Sequence, residues 1–162
     1  MAEPGKAGGR RNAARSAARM AAVQALYQME LTNRDAASVA AEFIAHRLGA
    51  PIDGLDLSSA DTGFFKDLLT GVVAQQSKVD NAIARVLAAG WTLERLDSIL
   101  RALLRAGAYE IVLRPDVPAR VTIDEYVEIA RDFFEGEETK FVNGVLDAIA
   151  REARPEDMRQ GR

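Results

Sequence analysis

Along most of the chain apolar residues recur at three- and four-residue intervals, and the sustained period-two alternation of half-buried strands is missing. The most regular stretch lies between Pro118 and Ile149. Ile123, Tyr126, Val127, Ala130, Phe133 and Phe134 fall on one side of a helical projection, with Asp124, Glu125, Glu128, Arg131 and Asp132 opposite. Thr122 and Glu125 have the spacing of a capping box, and Gly136 ends the helix or lies just past it. A further helix then aligns Phe141, Val142, Val145, Leu146 and Ile149. Two apolar faces joined by so short a break are expected to pack on each other and to receive the remaining helices.

Earlier in the chain, order is expected from about Ser16, where Ala18, Ala22, Leu26 and Met29 form a stripe with Tyr27 at its margin. Asp35 and Asp61 stand where helix caps belong, ahead of Val39, Phe43, Ile44 and Leu48 and of Phe64, Phe65, Leu68, Leu69, Val72 and Val73. Residues 49–60 read as a connecting loop. Gly71, inside the second of these runs, costs helix propensity and points to close approach by a neighbouring helix. Val79, Ile83, Val86 and Leu87 mark another helix, ended by Gly90; Trp91 and Leu93 are expected to tether the turn that follows. Behind Asp97 comes the widest apolar face, from Ile99 through Leu103 and Leu104 to Val112, and this is the expected central helix. The outcome is an all-α chain of about seven helices. Residues 1–14 are expected to be a flexible basic tail, 15–153 a single helical domain and 154–162 a polar tail.

Composition adds a charge asymmetry. The total is -3, yet residues 1–19 carry five cations against Glu3, so a +4 head precedes a body of -7. Such a head reads as a contact for a polyanion, as a solubilising tail, or as an attachment to a membrane surface or a protein. The membrane reading is weakened because no bulky apolar residue precedes Met20. Cysteine is absent, no apolar run spans a bilayer and no secretory segment opens the chain, so a cytoplasmic location is expected.

Catalytic chemistry has little to stand on. His46 is the only histidine, no phosphate-binding glycine loop is present, and Glu135, Glu137 and Glu138 fit the start of a helix better than a metal site. No cofactor and no enzymatic activity are expected. Arg11, Arg15 and Arg19, spaced by four, form a ridge on any helix that includes them, and Arg10 is a further cation of the basic head. That ridge points close to the direction of Leu26. A position against the core is unattractive for unpaired arginines, so the helix is expected to overhang the body and expose them. Guanidinium groups bind phosphate bidentately, and an aromatic ring can stack on an unpaired base; Tyr27 is the candidate ring and Lys140 a further phosphate contact.

Four blocks carry a resemblance: Arg19-Met-Ala-Ala-Val-Gln-Ala-Leu-Tyr27, Leu104-Arg-Ala-Gly-Ala-Tyr-Glu-Ile111, Ile123-Asp-Glu-Tyr-Val-Glu-Ile-Ala-Arg131 and Lys140-Phe-Val-Asn-Gly-Val-Leu-Asp147. In this order they resemble the NusB family of transcription antitermination factors, over roughly residues 15 to 150. The resemblance implies two packed helical bundles and a non-catalytic adaptor. The adaptor binds boxA-type single-stranded leader RNA with a small-subunit ribosomal protein that doubles as an elongation factor, and joins the RNA polymerase elongation complex on ribosomal RNA operons. It places RNA contacts at Arg15 and Arg19. The chain departs from the pattern at Ser16 and Ala17, where the family often has arginines, at Asp124, and at Glu138-Thr139. Arg10 and Arg11 lie upstream as compensation. Arg101 and Arg105, expected to be exposed, are the candidates for the protein partner. Two other readings stay open: an RNA-binding relative of the N-terminal domain of an rRNA methyltransferase, and a purely protein-binding scaffold, as a homodimer for instance.

Overall fold

The computed structural model describes residues 4–48 and 60–160, and the side chains of residues 12–48 and 60–159. The expected loop at 49–60 lies outside the described residues except for its last position. Eight α-helices and one short 3-10 helix are present among the described residues, with no strand. They are α1 (Pro4–Thr32), α2 (Ala36–His46), α3 (Thr62–Ala74), α4 (Gln76–Val86), the 3-10 turn Leu93–Arg95, α5 (Ser98–Leu113), α6 (Ala119–Phe133), α7 (Glu137–Ala153) and α8 (Pro155–Gln160). The chain divides into two compact units, Met1–Thr70 and Gly71–Arg162, with the boundary inside α3.

In the first unit α1 packs on α2. Small residues make this possible: Ala18, Ala21, Ala22 and Ala25 are fully buried beside Val23 and Leu26, so the backbone of α1 can approach its neighbours closely. The α1 helix begins at Pro4, well before Ser16. Proline is tolerated in a first helical turn, and the alanines and arginines that follow are strong helix formers. Asn33, in the left-handed region at φ 56°, turns the chain toward α2. Asp35 then caps that helix by accepting from the Ser38 amide at 2.8 Å, which holds its carboxyl below the ordinary 3.8. Glu42 is held below its ordinary value chiefly by its hydrogen bond from Arg34. Phe43 and Phe65 stack with centroids 5.7 Å apart and close the interior.

The second unit is built on α5, which packs against α4, α6 and α7, while α6 and α7 pack on each other. Nearly the whole girth of α5 is enclosed, from Leu100 and Ala102 to Tyr109, Glu110 and Ile111. Asp97 caps it, accepting from the Ile99 amide at 2.9 Å. Gly71 shows why it is glycine: a Cβ there would stand 2.3 Å from the Tyr109 ring. Gly107 likewise admits Leu146, whose methyls would lie 3.0 Å from an added Cβ.

Three expectations need correction here. Thr122 does not cap α6. Pro118 holds the cap position, and the Ala119 amide donates to Asp157 of α8 at 2.9 Å. Thr122 is buried instead; its hydroxyl and the Tyr126 hydroxyl donate to the buried Glu110 carboxylate at 3.5 and 2.6 Å. The polar stretch after residue 153 forms α8, which buries Met158 and packs on α6 and α7. Arg154 reinforces this by donating to the carbonyls of Val117 at 2.7 Å and Pro115 at 3.2 Å. Finally, Trp91 is not a tether. It is 52% exposed, with the Arg95 guanidinium 5.6 Å from its ring, and the buried Leu93 does the anchoring.

Candidate nucleic-acid interface

The best-defined cationic cluster sits where the described side chains of α1 begin. Arg15 and Arg19, one turn apart, both lay their guanidinium groups against the Phe64 ring, with Cζ 4.5 and 5.0 Å from its centroid. That is within the range of cation–π attraction, and guanidinium is the cation best suited to it because it is flat and weakly hydrated. The two differ sharply in access. Arg19 is buried to 2% exposure, whereas the Arg15 side chain keeps 30%. Arg19 is therefore a correction to the expected exposed ridge. The projection toward the Leu26 direction is right, but a ring on α3 makes the inward position tolerable for a charge.

Asp61 completes the cluster. Its Oδ1 accepts from the Phe64 amide at 3.0 Å, so it caps α3 as expected, and its own amide donates to the Ala14 carbonyl at 2.9 Å. These bonds fix the start of α3 to α1 within the first unit. The other carboxylate oxygen, Oδ2, lies 3.9 Å from Arg15 Nε, an ion-pair distance too long for a hydrogen bond. Arg15 Nε is buried and makes no hydrogen bond to any described residue. Arg47, at the end of α2, repeats the stacking theme with its Cζ 4.6 Å from the Phe43 centroid.

The remaining candidates are not gathered with these. Tyr27 is half-buried on α1. The side chains of Arg10 and Arg11 lie outside the described residues, although their backbone belongs to α1. Lys140 belongs to the second unit, where it is 80% exposed and lies 3.7 Å from Glu137 one turn back. His46 is exposed at the end of α2.

Arg101 and Arg105 are not the exposed cations expected. Arg105 grips Asp80 bidentately at 2.9 and 3.1 Å and is only 20% exposed. Arg101 donates to the carbonyls of Leu93 at 2.9 Å and Leu96 at 2.7 Å, which pins the 3-10 turn to α5. Burial, and then the like charge of Arg105, lower the pKa of Arg101 below its ordinary value. Sequence reasoning missed Phe64 and Asp61 as parts of the cationic site. The Asp-x-x-Phe spacing betrays only the cap, and nothing in the order of residues places it beside α1.

Among the described residues no group of three or more His, Cys, Asp or Glu side chains could hold a metal ion, and no helix is long and apolar enough to cross a membrane. Fold and site define the class as a helical protein whose first helix lays two guanidinium groups against an aromatic ring of α3. The NusB family pattern matches residues 16–151, and the chain belongs to the NusB family of transcription antitermination factors. It is 56% identical over 146 residues to the transcription antitermination protein NusB of Caulobacter vibrioides, covering 90% of this chain and 98% of that one. The Maricaulis maris protein of the same name is 52% identical, over 84% of this chain and 85% of its own length. Among solved structures, NusB of T. maritima superposes with a TM-score of 0.71 at 32% identity, covering 89% of this chain and 96% of that one. A structure of antitermination factors NusB and NusE in complex with dsRNA matches with a TM-score of 0.69 at 25% identity, over 85% and 96% of the two chains.

Proposed function

We propose that this chain is a non-catalytic RNA-binding antitermination adaptor. It takes boxA-type leader RNA together with a small-subunit ribosomal protein and supports processive transcription of ribosomal RNA operons as part of the polymerase elongation complex. The observation that carries this reading is the Arg15–Phe64–Arg19 stack at the head of a chain of this family. Arg15 retains an accessible edge for a phosphate oxygen, and Arg19 adds positive potential from beneath it. Arg10 and Arg11 are further candidate phosphate contacts by sequence, and half-buried Tyr27 offers a ring edge to an unstacked base. Lys140 is a separate phosphate contact on the second unit. Arg101 and Arg105 meet the protein partner only with their exposed edges, since their donors already hold the 3-10 turn and Asp80. The solved relative that contains NusE and double-stranded RNA supports an assembly of this kind.

A titration of labelled boxA-type single-stranded RNA tests the reading, with a scrambled strand and a duplex as controls, each with and without the ribosomal protein. Saturable binding that prefers the boxA sequence and tightens with the partner is expected. Equal, weak binding to all three RNAs with no gain from the partner would show a charged patch and nothing more.

A further inference from the structure

Arg15 faces a carboxylate before it faces any phosphate. Its Nε is 3.9 Å from Asp61 Oδ2, buried, and without a hydrogen bond to a described residue. The Phe64 ring, with its centroid 4.5 Å from Cζ, holds the guanidinium by cation–π attraction. Asp61 cannot swing away, because its other oxygen caps α3 and its amide is tied to Ala14. We infer that Asp61 is a built-in stand-in for a phosphate group, which keeps Arg15 oriented in the free protein and competes with the RNA backbone for it. This rests on the RNA-binding function proposed above and adds a residue that sets its strength.

The chemistry fixes the direction of the effect. A pair held at ion-pair distance without a hydrogen bond, and about one third exposed on both sides, contributes little to the fold. A negative charge fixed beside the cation nevertheless repels every incoming phosphate within a Debye length, about 10 Å at 0.1 M salt. The orientation of Arg15 does not depend on Asp61 alone, since the stack on Phe64 survives its neutralisation. Removing the charge therefore tightens binding.

Asp61→Asn is the clean probe, because asparagine caps helices as well as aspartate does and the bond from the Phe64 amide is retained. In the full-length chain, titrated with boxA-type single-stranded RNA at low salt, Asp61→Asn should bind roughly two- to fivefold more tightly than wild type. The gain should fade as salt is raised and vanish in an Arg15→Gln background, where the competition has no object. Thermal unfolding matching the wild type confirms that the fold is intact. Unchanged or weaker binding by folded Asp61→Asn overturns the inference, as does an equal gain in the Arg15→Gln background. Loss of affinity in Arg15→Gln with no gain in Asp61→Asn leaves the RNA-binding function standing and removes only the competitor; no binding by the wild-type chain removes both.

Discussion

Single residues in this chain carry burdens that their types alone do not announce. Gly71 is the clearest. Its missing Cβ makes room for the Tyr109 ring, and Gly71→Ala would drive a methyl to 2.3 Å from that ring's Cζ and Oη. Overpacking of this kind costs about 1–3 kcal/mol even after relaxation, against the small gain in helix propensity that alanine brings. Thermal or urea unfolding should show Gly71→Ala destabilised by that amount, and a variant as stable as wild type would mean that α3 and α5 are not so close. The sequence makes Gly71 legible as a point of approach, because a glycine inside a strongly apolar helix needs a reason. It does not make Arg19 legible. A buried guanidinium is tolerable only when a partner such as Phe64 is brought to it by another helix, and single-chain periodicity holds no record of that meeting.

At the scale of elements, periodicity serves well wherever a helix caps itself. Asp35, Asp61 and Asp97 cap as their spacing implies. It fails where a helix is capped from afar. The N-terminus of α6 leans on Asp157, 38 residues on, in a segment whose polar composition reads as a tail. Six residues of α8, with one buried methionine, are too short to show an apolar rhythm. Asp157→Ala should remove the acceptor of the Ala119 amide and the ion pair with Arg154 at 2.5 Å. A loss of about 1–2 kcal/mol is expected, typical of a deleted helix cap, together with faster amide exchange at Ala119. Exchange and unfolding identical to wild type would show that α8 does not hold α6 in solution. Trp91 fails for a related reason. One aromatic after a glycine looks like an anchor, but with Leu93 and Leu96 already buried beside it the ring is left to the solvent and Arg95.

For the molecule as a whole, the all-helical class and the central place of α5 follow from the hydrophobic pattern, and the family follows from four short blocks in order. The proposed functional surface is only half legible. Charge asymmetry points to the first helix, while the Phe64 ring and the Asp61 carboxylate come from α3 and its cap, which the sequence separates from α1 by α2 and a long connection. The proposed RNA surface lies at the Arg15 end of α1. Amide hydrogen exchange of the full-length protein with and without saturating boxA-type RNA tests it most directly. Slowed exchange is expected along α1 around Arg15 and at the start of α3 near Asp61 and Phe64. Tight RNA binding with protection confined to residues after Gly71 would contradict it.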